Sequence, residues 1–240
     1  MAVDRSETLE YEPHIGESRQ YWRDIILGVN DGLVSVFLLV VGVVGGGLTP
    51  DQVLLTGIAG ALAGAISMAA GEYLATKSQD EVFDAELELE RFHIEHFRDA
   101  EMAQLGDFFR DMGVAREDLD AVLSGFKNND LALLNAMAAL EFGVVESERR
   151  SPYRAMLASG LLFLLGSMTS VLPFALFTTN KTALVWASTL TLAGLFAVGV
   201  IKATVARTST IRSGLENMVI AGLGGLAAWV IGALVGTGLG

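Results

Sequence analysis

Residues 67–98 read SMAAGEYLATKSQDEVFDAELELERFHIEHFR, and the fold class turns on them. The stretch opens in the tail of an apolar run and closes in a densely charged one, yet beyond Gly71 it holds neither Gly nor Pro. Without a breaker the helical hydrogen-bond ladder has no reason to stop. One helix is therefore expected to leave an apolar medium and run on into water as a stalk.

Working outward, the apolar medium is a lipid bilayer. The 240 residues are 52% hydrophobic and only 18% charged, with a mean hydropathy of +0.48, too apolar for an ordinary soluble domain. About 20 apolar residues cross roughly 30 Å of hydrocarbon as a helix. Five runs reach that length, at 23–46, 52–76, 154–177, 183–205 and 215–238. The expected fold is an all-α membrane protein with five transmembrane helices and a cytosolic helical metal-binding domain inserted between the second and third.

Residues 77–150 hold 18 of the 28 Asp and Glu residues and no run long enough to cross, so this insert lies in water. Gly113 and Gly125 read as helix stops, and Asn128-Asn129-Asp130 reads as the cap of a helix continuing to about Glu148. A compact domain of three or four helices is expected. The division is a cytosolic N-terminal tail at 1–22, the first two spans at 23–76, the insert at 77–150 and the last three spans at 151–240. The tail is polar and acidic, without the basic and apolar regions of a signal peptide. The chain has no Cys, so metal ligands must be carboxylate, imidazole or thioether.

Basic residues set the expected orientation. Arg5, Arg19 and Arg23 precede the first span, nine more lie between Lys77 and Arg154, and Lys202, Arg207 and Arg212 follow the fourth. With five spans, fifteen of the sixteen Lys and Arg residues share one side, opposite Lys181. The positive-inside rule places the N-terminus and the insert in the cytosol.

Asp31, in Gly28-Val29-Asn30-Asp31-Gly32, is an ionisable group inside the first span, where burial costs a few kcal/mol and usually marks a pathway or a partner. At 1.5 Å per residue it lies about 12 Å inside Arg23, and Met68 lies about 13 Å inside Lys77. The two can share one plane. Glu72, one turn on from Met68 and on the same face, extends a path toward the cytosol. Carboxylate plus thioether suits a borderline cation such as Fe²⁺, whereas Mg²⁺ or Ca²⁺ asks for oxygen alone. The plainer reading of Met68 is core packing, and that of the recurrent span glycines is close helix contact. Pro173 is expected to kink or loosen the third span near its outer end.

On the stalk, Glu86, Glu90 and His93 share a face, with Glu101 eight residues further on. Glu90-x-x-His93 resembles the unit used in carboxylate-bridged iron sites of helical bundles. Met137 and Glu141, four apart on the later helix, also face one way. Ligands converging from two helices could hold Fe²⁺ or Mn²⁺ reversibly, and clustered acids concentrate cations. A simply solvated charged face is the competing reading, and it suffices for Glu95 and His96.

Taken together, Gly28-Val29-Asn30-Asp31-Gly32-Leu33, Ser67-Met68-Ala69-Ala70-Gly71-Glu72-Tyr73-Leu74, Lys77-Ser78, Glu141-Phe142-Gly143 and Leu172-Pro173-Phe174 resemble the vacuolar iron transporter family of Fe²⁺/Mn²⁺ transporters, over roughly residues 20–238. The resemblance implies a homodimer that exports metal from the cytosol in exchange for protons. It places Asp31 and Met68 on the translocation path, and Glu90, Glu101, Met137 and Glu141 as collectors of the metal. The chain departs from the plant-like pattern at His93 and Gln104, where further glutamates are expected, and at Gly60, where a mid-span Glu is expected. The insert is then expected to bind fewer ions, or to bind them with imidazole help.

The expected function is a metal/proton antiporter with no prosthetic group, in a prokaryotic cell membrane or a eukaryotic vacuolar membrane. No nucleophile-base pair, phosphate-cradling loop or basic nucleic-acid surface argues for an enzyme or a nucleic-acid partner. One rival is a membrane-anchored iron-binding or ferroxidase module, although a di-iron site normally shows two Glu-x-x-His units. The other is a purely structural scaffold, for which Asp31 would be an accident of packing.

Overall fold

The computed structural model describes residues 18–143 and 149–239. Most of the expected N-terminal tail lies outside the described residues. Eight helices follow one another: α1 (Ser18–Gly45), α2 (Pro50–His96), α3 (Arg98–Asp111), α4 (Leu119–Ser124), α5 (Asp130–Glu141), α6 (Pro152–Leu176), α7 (Asn180–Ala206) and α8 (Thr210–Leu239). No strand occurs among the described residues. Five of the helices, α1, α2, α6, α7 and α8, are long and apolar enough to cross a membrane, and they fall on the five predicted runs. The expected stalk is present, since α2 is one helix of 47 residues. The chain forms two compact units, Met1–Ala65 with Ala158–Gly240, and Ile66–Leu157.

In the first unit, α1 packs against α7 and α8 around Leu33, Leu195, Val198 and Ala221. Close approach depends on missing side chains. A Cβ on Gly32 would strike the backbone of Phe163, and one on Gly166 would strike the Val29 carbonyl of α1. On the buried side of α6, the Thr191 hydroxyl of α7 sits 3.0 Å from both the Thr169 and Ser170 hydroxyls. Asn180 donates to the Leu48 carbonyl at 2.8 Å, tying the α1–α2 turn to the start of α7. Facing outward are Leu55, Leu165, Leu176, Leu223 and Leu234, each about two-thirds or more exposed. A surface so apolar belongs in lipid, and the protein is a multi-pass membrane protein.

Pro173 is buried within α6, and the helix continues past it to Leu176. The expected loosening is not a break in the helix, because the proline falls in the last turn, where few ladder bonds remain to lose.

In the second unit, the later part of α2 and helices α3 to α5 enclose Phe83, Leu87, Ile94, Leu105, Leu133, Leu134, Met137 and Ala138. Arg98 fastens the start of α3 to the α4–α5 turn. Its guanidinium donates to the carbonyls of Lys127 at 3.0 Å and Phe126 at 3.2 Å, and pairs with Asp130. The Asn129 side chain accepts from the Ala132 amide at 3.0 Å and caps α5, at the position expected. The helix ends at Glu141, short of the predicted Glu148, because Gly143 adopts φ +66°. A left-handed residue just past the last turn is a standard helix stop; residues 144–148 lie outside the described residues.

The outer face of α2 in this unit is uncovered. Val82, Ala85, Leu89, Phe92 and His96 are all exposed and alternate at spacings of three and four, the seam of a coiled coil. The same register runs back through Ser78, Ala75 and Gly71 to Met68.

Candidate metal site

Near the end of α2, Glu90 sits between Leu87 and Ile94, both core residues, at helical spacings that put all three on one face. The chain then breaks at Phe97, which precedes α3, and returns with Glu101 on the first turn and Leu105 in the same core. The helix-to-helix turn therefore folds a second carboxylate over the first.

Glu90 and Glu101 are 3% and 5% exposed, and His93 is half-buried. One ligand atom from each of the three lies within 4.8 Å of the others. His93 Nδ1 is 3.4 Å from a Glu101 oxygen. Glu90 Oε1 and Glu101 Oε2 are buried and find no hydrogen-bond partner among the described residues. Unsatisfied buried carboxylate oxygens are costly, and a cation between them would relieve both.

Burial pushes the Glu90 carboxyl up from its usual 4.5 to about 7, and the charges of Glu101 and Glu141 push the same way. Two acids and an imidazole suit Fe²⁺, Mn²⁺ or Zn²⁺. No other group of three or more such ligands converges among the described residues.

The other predicted residues fall elsewhere. Glu141, the exposed last residue of α5, acts on Glu90 through its charge. Met137 is fully buried in the core of the second unit, and Glu86 is half-buried outside the three-ligand group. Glu95 and His96 are exposed, with His96 stacked on Phe92 at 4.2 Å. In the first unit Asp31 is exposed on α1, an ionisable side chain on the outside of a span. In the second unit Met68 is half-buried and exposes part of its side chain along the α2 seam.

Glu72 holds a partner that sequence reasoning missed. Arg150 Nη2 lies 3.6 Å from its Oε1. The available signal is the Arg149-Arg150 pair just ahead of α6.

The VIT family model matches residues 22–233. The chain is 30% identical to vacuolar iron transporter 1 of Tulipa gesneriana, over 89% of this chain and 86% of the tulip protein. It is 33% identical to vacuolar iron transporter 2 of Oryza sativa subsp. japonica, over 86% of this chain and 84% of the rice protein. Similarity extends to a vacuolar iron transporter of Toxoplasma gondii, at 26% identity over 93% of this chain and 77% of that protein.

Proposed function

The chain belongs to the VIT family, and from that premise we propose that it exports Fe²⁺, and Mn²⁺ with it, from the cytosol across a membrane in exchange for protons. The observation that carries the reading is the Glu90–His93–Glu101 group, with both carboxylates buried and the imidazole half-buried. It offers a divalent cation three ligands at the cost of a proton on Glu90, so capture and proton release occur in one event.

In this reading the second unit faces the cytosol, where the basic residues of the sequence belong. Glu86 and Glu141 draw cations toward the three ligands, and Met137 lies in the core of the same unit. The metal then reaches Glu72, Met68 and Asp31, and protons reload the carboxylates from the far side. No bond is made or broken, so the protein is a secondary transporter.

Two copies make the path. Asp31 on the outside of α1 needs a neighbour other than lipid, and the uncovered α2 seam supplies a surface for a second chain. A parallel pair of α2 helices would face Met68 of one copy with its equivalent in the other.

The test is Fe²⁺ uptake into proteoliposomes under an imposed proton gradient, with the native chain, Asp31→Asn, and Glu90→Ala/Glu141→Ala. Uptake should vanish in the first variant and weaken only at low metal in the second. Binding or oxidation of Fe²⁺ without lumenal metal in any preparation would overturn transport in favour of a tethered iron-binding module.

A further inference from the structure

Glu72 and Arg150 are 18% and 10% exposed at their side chains, so their pairing is shielded from bulk water. The chain beside Arg150 is anchored to α2. The neighbouring Arg149 reaches Asp84 at 2.6 Å and lies over the Phe83 ring at 4.6 Å. Glu72 and Asp84 are about 18 Å apart along a helix, so the two adjacent arginines grip α2 at well-separated points. The Tyr153 ring, 5.3 Å from that of Tyr73, fixes the start of α6 beside the same turn.

We propose that Arg150 is a tethered counter-ion which occupies the Glu72 carboxylate between transport events and makes that position admit divalent cations while refusing monovalent ones. The inference rests on the reading of Glu72 as part of the metal path.

The physics is a competition for one carboxylate. A guanidinium is weakly hydrated and already in place. K⁺ or Na⁺ arriving at Glu72 would shed water to replace one unit charge by another, with no Coulombic gain. A divalent ion doubles the attraction at the same distance and can displace the arginine. The released Arg150 remains anchored through its neighbour Arg149 and returns when the metal moves on. A bare carboxylate would lack this threshold and would fill with the commonest cation of the cytosol.

The experiment measures Fe²⁺ uptake into proteoliposomes by the full chain, at rising K⁺ on the cytosolic-equivalent side and constant ionic strength set with a bulky organic cation. Native protein should be indifferent to K⁺. Arg150→Gln should lower the KM for Fe²⁺ by roughly tenfold, the scale on which a nearby opposite charge alters a carboxylate's affinity for a cation, and should become competitively inhibited by K⁺. Arg150→Lys keeps a tethered charge and should regain most of the K⁺ resistance. A merely structural arginine would alter the amount of folded transporter and the maximal rate, leaving KM and K⁺ response as in the native chain. That outcome overturns the proposal.

Glu72→Gln separates the two levels. Lost uptake in Glu72→Gln beside an unchanged KM and K⁺ response in Arg150→Gln sinks the counter-ion alone. Native uptake in Glu72→Gln sinks the underlying reading of Glu72, and the counter-ion with it.

Discussion

At the level of a single side chain, the proposed metal site ties cation binding to pH through Glu90. With its carboxyl at about 7, cation binding displaces a proton, and the apparent affinity should fall roughly tenfold from pH 8 to pH 6. Titration of the detergent-solubilised chain with Mn²⁺, read by the loss of the free-ion resonance, checks this, and Glu90→Gln should bind weakly with a flatter profile. The stability sign is opposite to that of an ordinary paired carboxylate. Between 4.5 and about 7 the folded metal-free chain holds more protons than the unfolded one, so its stability declines as pH rises through that window. Added Mn²⁺ should offset the decline, visible in thermal unfolding. His93→Ala should weaken binding tenfold or more, whereas His96→Ala, altering an exposed ring stacked on Phe92, should leave it unchanged. Glu90 and His93 were legible because one helical turn relates them. Glu101 was legible only as a spacing, since the turn at Phe97 brings it back across the end of α2. Arg150 was invisible beside Glu72 because their meeting is tertiary.

Helix ends and helix contacts carry the next set of consequences. Gly143 stops α5 in the left-handed region, where a side chain costs roughly 1–2 kcal/mol, so Gly143→Ala should lower the thermal stability of the chain by about that much. The sequence-based end at Glu148 overran because it passed over Gly143, a helix stop of the same kind as Gly113, whereas the breaker-free stretch after Gly71 marked the continuity of α2 correctly. Gly32→Leu should be worse than a lost contact. The backbone of Phe163 leaves no room for a Cβ, and α1 and α6 must separate, costing on the order of 1–3 kcal/mol or more. Folded yield in detergent and unfolding temperature would both register it. The α2 seam makes a different prediction. Leu89→Cys, the only thiol in an otherwise cysteine-free chain, should crosslink two copies under mild oxidation. The yield should rise with salt, because Glu81, Glu86, Glu88 and Glu95 flank the seam and like charges facing one another are screened. Crosslinking that falls with salt, or none, would remove the seam as a meeting surface.

For the whole molecule, five apolar helices and an acidic helical unit were readable from composition and run length, since bilayer thickness dictates both. What was not readable is how helices are fixed against one another in lipid, where no hydrophobic force between them exists and geometry decides. Transport through two copies predicts that equal mixtures of native and Asp31→Asn chains lose uptake in more than half of the dimers, measurable in proteoliposomes at limiting protein density. The Thr169–Ser170–Thr191 knot bears on how any such dimer could cycle. Hydroxyl bonds between membrane helices average only about 0.6 kcal/mol each, too little to bind α6 to α7. Their effect is on alignment: a slip of one residue would break both 3.0 Å contacts at once. Sliding of α6 along α7 is thereby disfavoured by about 1 kcal/mol, a bias on their register that leaves tilting of one helix against the other open.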